Sequence, residues 1–177
     1  MGKKQKRWDA SKTAAENAAA VLPALTERLF ERGRKAVESV DAADSLHGFR
    51  LRVKRYRYTL ELFRPCYGPG MEKRLNQLKQ LQDRLGVIND CAIAESLAER
   101  HDPATWPGEP EFLRFLADRA EELAREFRAF WRESFDAPGE FQSWTRYFRH
   151  YAGRNHSRAA QLPKAPNALA AVSNPSQ

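Results

Sequence analysis

The 177-residue sequence has few of the features that mark membrane or secreted proteins. It has no run of about 18 apolar residues, the length that a membrane-spanning helix needs. Its only cysteines, Cys66 and Cys91, form no Cys-x-x-Cys pair, and a domain of this size does not need a disulfide. The basic start is followed by a short segment with Glu16 and Asn17, which makes a poor signal peptide. We therefore expect a cytoplasmic protein with reduced thiols that does not contact a membrane.

The common patterns of enzymes that act on phosphates are also missing. There is no glycine-rich phosphate loop and no nucleophile elbow, and the carboxylates are not clustered as in metal-dependent phosphatases. The histidines lack the spacing of a zinc site, and cations near them would repel a metal; they are His47, His101, His150 and His156. We therefore predict a protein that is not an enzyme and that uses no metal and no cofactor.

The fold class follows from hydrophobic periodicity. No segment alternates Val, Ile or Thr with polar residues between hairpin turns, so no strand is predicted. Apolar residues instead recur at three- and four-residue steps, which is typical of amphipathic helices. Helices are predicted at about 11–40, 45–63, 71–85, 90–100 and 140–151, with a long one between the loop at 101–110 and the break at 136–139. The fold class is expected to be all-α, with antiparallel helical hairpins packed as a helical bundle.

Several details of this prediction concern single residues. Pro23 is expected to kink the first helix or to stand in its first turn. Gly86 is expected to end the third helix, and Asn89 or Asp90 to cap the fourth. The long helix is expected to turn a row of large apolar side chains toward the core: Phe112, Phe115, Leu116, Leu123, Phe127, Phe130 and Trp131.

The two ends of the chain differ from this helical body. Residues 1–12 are basic and are predicted to form a flexible N-terminus ahead of a helical domain at 13–156. From residue 157 onward Pro, Ala, Asn and Ser dominate and the periodicity fades. This composition predicts a disordered tail over 157–177.

The formal net charge of +7 is concentrated in two blocks. Residues 1–12 have a net charge of +4 and residues 46–64 one of +5, so the rest of the chain together carries −2. A protein with two basic patches on a balanced body is suited to an acidic partner. Nucleic acid, anionic lipid and a phosphate polymer are the candidates.

The second predicted helix separates basic from apolar side chains. At about 100° per residue, one face holds His47, Arg50, Lys54 and Arg57, with Arg52 and Arg55 on a flank. The opposite face holds Phe49, Val53, Tyr56, Leu60 and Phe63. Any surface helix has a charged face, and a merely solvated face is the alternative. Glu61 is the only acidic residue of this block, however, and the repulsion between its cations favours a site for phosphate, which arginine and lysine bind well.

The segment 47–63 resembles the signature of the CHAD domain, the conserved histidine α-helical domain. In that signature a histidine is followed by basic residues three, seven, eight and ten positions later; here these are His47, Arg50, Lys54, Arg55 and Arg57. Segment 78–90 is similar to the second motif of the family, a leucine stripe with an internal lysine, here Lys79, that ends in Leu-Gly-x-x-(Arg/Asn/His)-Asp. Asn89 stands where many relatives have arginine.

This resemblance covers about residues 15–150 and implies a helical bundle whose basic residues line a positively charged groove that binds inorganic polyphosphate. The phosphate ligands it implies are His47, Arg50, Lys54, Arg55 and Arg57, joined by Lys79 from the next helix. Three cations of the first helix could extend this surface or could be ordinary surface charges: Arg28, Arg32 and Lys35.

Two alternatives remain open from the sequence. A full CHAD domain has two related bundles, each with a basic helix, but here only one clear motif is present. This favours either a single-bundle variant or a homodimer that restores the paired site. Nonspecific nucleic-acid binding is the alternative function, with Tyr56 and Tyr58 as stacking groups. Only Tyr58 shares the basic face of the helical wheel, which favours polyphosphate.

Overall fold

A computed structural model describes residues 8–39, 42–100, 106 and 108–150, without the side chains of 42–44. This part of the chain contains helices and no strand. The helices are α1 (Ala14–Glu38), α2 (Ala42–Leu62), α3 (Gly70–Ala98), α4 (Glu109–Ser134) and α5 (Glu140–His150), with a short 3₁₀ helix at Arg64–Cys66. The predicted all-α class is therefore confirmed. The predicted tail at 157–177 and the predicted flexible N-terminus up to residue 7 lie outside the described residues.

The contacts between helices show that α2 lies at the side of the bundle. α2 packs against α1 and α3, α3 packs against α4, and α5 packs against α1. Two contacts show that α2 and α3 run antiparallel, because His47 near the start of α2 reaches Asn89, whereas Arg57 near its end reaches the earlier Gln82. One side of α2 thus faces its two neighbours, and the other side is open to solvent.

The start of α1 is specified locally. The side chain of Thr13 accepts a hydrogen bond from the Glu16 backbone N–H, and the Glu16 carboxylate accepts one from the Thr13 backbone N–H at 2.9 Å. This reciprocal capping box satisfies backbone donors that the first turn would otherwise leave open. Pro23 lies well inside α1, so the prediction that it stands in the first turn is wrong. The residues on either side of it, Leu22 and Thr26, are buried, and their packing holds the helix together across the proline.

The predicted break at Gly86 is wrong, because α3 is one helix from Gly70 to Ala98. Leu78, Leu81, Leu85 and Ile88 form an unbroken buried stripe across the glycine. Packing of this stripe outweighs the roughly 1 kcal/mol that glycine costs in a helix interior. Asn89 and Asp90 therefore lie inside α3 and do not cap a separate helix.

An aromatic cluster forms the centre of the bundle. The largest fully buried side chains include Trp131, Trp144, Phe30, Phe127, Phe135 and Phe148. Trp131 stacks on Phe135 with ring centroids 4.7 Å apart, and Phe30 meets both rings edge-on. The expected core position of Phe115 is wrong: this side chain is 61% exposed, because its neighbour Leu116 takes the inward position and adjacent helical residues point about 100° apart.

Candidate anion-binding site on helix α2

The rotation of α2 about its axis is fixed by its apolar face. All five residues predicted for that face are buried: Phe49, Val53, Tyr56, Leu60 and Phe63. The hydroxyl group of Tyr56 shares a 2.6 Å hydrogen bond with the Thr26 hydroxyl of α1. Burial raises the pKa of Tyr56, so this phenol stays neutral in the folded protein. With this face anchored, the basic residues of α2 are turned outward.

The outward side of α2 carries the five motif residues, which we call the basic ridge: His47, Arg50, Lys54, Arg55 and Arg57. His47, Lys54 and Arg55 are exposed, and Arg50 and Arg57 are half-buried. On the helical wheel Arg50 and Arg57 lie toward α3, and Arg55 lies toward α1. The ridge therefore spans the solvent side of α2 from one neighbouring helix to the other.

Two of the predicted phosphate ligands already have carboxylate partners. Arg57 donates to the Glu61 carboxylate at 2.5 Å and to Gln82 of α3 at 2.9 Å. Lys79 lies 2.8 Å from the carboxylate of Asp83 on its own helix and is exposed. A phosphate at either position would have to compete with an acidic side chain. The charges of Arg57, which belongs to the ridge, and of Lys79 on α3 are thus compensated.

The remaining cations of the ridge are not compensated in this way. Within the described part of the chain, Arg50, Lys54 and Arg55 form no ion pair. Like charges at this spacing repel by a few tenths of a kcal/mol per pair. An anion bound along the ridge would remove that repulsion.

His47 is oriented by a residue that the sequence did not single out as a partner. Its Nδ1 lies 2.6 Å from the Asn89 Oδ1 on α3. An amide oxygen only accepts hydrogen bonds, so Nδ1 carries the proton of this bond. The Nε2 atom is then the ring donor left for a phosphate when the imidazole is protonated. The sequence pattern hardly indicates this contact, because 42 residues separate His47 from Asn89.

Two grooves border α2. The α2–α3 groove is lined by His47 and Arg50 of α2, by Asn89 and apolar residues of α3, and by Arg100 after the end of α3. The α1–α2 groove contains two of the three cations predicted as additional contacts on α1; it is lined by Arg28, Arg32, Arg52 and Arg55 among others. Lys35, the third, lines neither groove and pairs with Glu31 at 2.8 Å.

The exposed aromatic ring next to the ridge, that of Tyr58, lies near two ridge cations. Tyr58 is 48% exposed, but the guanidinium carbon of Arg57 lies 5.0 Å from its ring centroid and the Lys54 ammonium 5.9 Å. Both distances are within the range of cation–π attraction. Tyr56, the other tyrosine considered for base stacking, is buried.

The described residues contain no group of three or more His, Cys, Asp or Glu side chains that could hold a metal ion. None of their helices is long and apolar enough to cross a membrane.

Part of the chain matches a known protein family. The family model of the CHAD domain matches residues 3–99, more than half of the chain, and this segment contains both motifs, α1, α2 and α3. The helices α4 and α5 follow the matched segment. Searches of curated proteins and of solved structures found no match. With the basic ridge on α2 and the leucine stripe of α3 both inside the match, the chain belongs to the CHAD domain family.

Proposed function

We propose that this protein binds inorganic polyphosphate through the basic ridge of α2, without catalysing a reaction. The observation that carries the proposal is the set of three ridge cations, Arg50, Lys54 and Arg55, that form no ion pair within the described part of the chain. The resemblance to the CHAD signature, which implies polyphosphate binding, points to these same residues.

The spacing of the cations suits a linear polymer of phosphates. Residues on one helix rise about 1.5 Å each, so Arg50 and Lys54 are about 6 Å apart along the axis, and Arg57 follows after about 4.5 Å. A chain with a charge on every unit can contact several of them at once. Each charge-assisted hydrogen bond to phosphate contributes at most about 1.5–3 kcal/mol, and less where it stays exposed to water.

Polyphosphate is favoured over nucleic acid because the ridge provides little aromatic surface on which a base could stack. Single-stranded nucleic acids bind by stacking bases on aromatic rings in addition to phosphate contacts. Tyr56 is buried, and both Lys54 and Arg57 lie over the Tyr58 ring. Nonspecific binding of DNA or RNA by charge alone is therefore the second candidate, and we expect it to be weaker.

The test is a calorimetric titration with long-chain polyphosphate and with duplex DNA at equal phosphate concentration. Arg50→Gln/Lys54→Gln removes two uncompensated ridge charges and leaves the Arg57–Gln82 contact between the helices intact. Arg114→Gln/Arg125→Gln removes the same charge from exposed positions on α4 that line neither groove beside α2. We expect the ridge variant to bind polyphosphate at least about tenfold more weakly, the α4 variant to bind normally, and the wild type to prefer polyphosphate to DNA. Stronger binding of DNA, or equal losses in both variants, would contradict the proposal.

We further propose that this binding takes place in the cytoplasm and that two copies associate so that two basic helices face one ligand. The support for association is the single basic motif in a family whose full domain has two. Light scattering at working concentration, with and without polyphosphate, tests it. A monomeric mass under both conditions would contradict it and would leave the ridge of one chain as the whole site.

A further inference from the structure

The α1–α2 groove is lined by four arginines. Arg28 and Arg32 stand one turn apart on α1, and Arg52 and Arg55 stand three residues apart on α2, all lining one groove. Arg52 is not part of the CHAD signature as it appears in this sequence. It lies on the side of α2 that faces α1, about 140° around the helix from His47.

Three of the arginines in this groove form no ion pair among the residues that the structure describes. The one carboxylate that lines it, Glu31, holds the Lys35 ammonium at 2.8 Å. Arg32, Arg52 and Arg55 are exposed and form no ion pair with another described residue. Arginines at this separation repel each other, and a guanidinium fork binds phosphate oxygens in pairs. The groove is therefore suited to an anion with several oxygens.

The floor of the groove makes a phosphate a better occupant than a base. It is formed by Leu25, Leu29, Tyr56 and Thr59. Tyr56 is 6% exposed and its hydroxyl is bonded to Thr26, so it presents no open ring face for stacking. Recognition here would come from the arginine rim alone, as expected for a ligand made only of phosphate units.

We propose that the α1–α2 groove is a second phosphate-binding site, so that one domain holds two segments of a polyphosphate on opposite sides of α2. The inference rests on the proposed function of the basic ridge, and Arg55 joins the two sites because it belongs to the ridge and lines the groove. A chain long enough to cross α2 would occupy both sites, and the second contact would benefit from a high effective concentration. A short chain would fill each site separately.

The experiment uses tripolyphosphate as the short ligand and long-chain polyphosphate as the long one, with the complete chain. Calorimetry should find two kinds of tripolyphosphate site in the wild type, one at the basic ridge and one in the α1–α2 groove. Arg32→Gln/Arg52→Gln, which changes one exposed arginine on each wall of the groove, should leave one site. Arg50→Gln/Lys54→Gln should leave the other. For long-chain polyphosphate, each variant should lose at least about tenfold in affinity, because bridging between the sites is lost.

Arg114→Gln/Arg125→Gln on α4 is the matched control for charge and should keep both sites. The replaced residues are all exposed or half-buried, so thermal unfolding should be nearly unchanged in every variant. A single site in the wild type, lost with Arg50 and Lys54 but not with Arg32 and Arg52, would overturn this inference and leave the proposed function intact. A wild type that does not bind long-chain polyphosphate would overturn both.

Discussion

Replacing Gly33 by alanine should destabilise the protein, although alanine is the better helix former. Gly33 lies in the C-terminal part of α1, directly against the buried indole ring of Trp131. A Cβ atom on Gly33 would overlap three carbon atoms of that ring, well inside the 3.0 Å that Cβ contacts essentially never reach. Trp131 has little freedom to yield, since it stacks on Phe135 at 4.7 Å and its Nε1 donates to Asp136 at 2.9 Å.

The expected magnitude comes from three contributions. Alanine gains about 1 kcal/mol of helix propensity over glycine. Overpacking a dense core costs about 1–3 kcal/mol. If Trp131 shifts, the charge-assisted bond to Asp136 is lost as well, at a cost of about 1.5–3 kcal/mol. We therefore expect Gly33→Ala to lower the free energy of unfolding by about 1.5–5 kcal/mol, which for a chain of this length lowers the melting temperature by roughly 3–20 °C.

Gly86→Ala is the matched control. Gly86 lies inside α3, and a Cβ atom there would meet no atom within 4 Å apart from the adjoining residues and backbone of its own helix. This variant should gain the helix propensity without the clash and raise the free energy of unfolding by about 1 kcal/mol. Urea denaturation of the two variants and the wild type measures both effects. Changes of the same sign in the two variants would refute the packing of α1 against Trp131.

The remaining predictions concern single contacts. Thr13→Ala removes the capping box of α1 and should cost about 1 kcal/mol in urea denaturation. Burial raises the pKa of Tyr56, so the folded state retains this proton when the unfolded phenol ionises; stability should fall above about pH 10, and by less in Tyr56→Phe, when urea midpoints are compared at pH 8 and 10.5. Asn89→Leu removes the hydrogen-bond partner of His47 and should weaken polyphosphate binding about three- to tenfold, but not in a His47→Ala background, as a double-mutant cycle would show.

The sequence was sufficient to predict the rotation of α2. Its apolar residues repeat with the helical period over four turns, and Phe49, Val53 and Leu60 are buried as the wheel requires. Because the period fixes which side faces the core, it also fixes the outward position of the basic ridge. The ion pair between Lys79 and Asp83 could also have been predicted, because the two residues stand four positions apart on one helix.

Other features of the site could not be derived from periodicity. Gly86 is a helix-ending signal in isolation, and only the buried stripe on both sides of it shows that α3 continues. The meeting of Arg32 and Arg52 in one groove depends on how α1 packs against α2, which no local pattern specifies. The same holds for the contact between His47 and Asn89.

The central claim is that uncompensated cations of the basic ridge bind the phosphates of the ligand directly. The most direct test is the salt dependence of long-chain polyphosphate affinity. Each phosphate contact made by a cation contributes about 0.7 to the slope of log K against log salt concentration for a single-stranded polyanion. We predict that Arg50→Gln/Lys54→Gln reduces the slope by about 1.4 relative to the wild type and that Arg114→Gln/Arg125→Gln leaves it unchanged. An unchanged slope in the ridge variant would contradict the account, because Arg50 and Lys54 would then not contact the polymer.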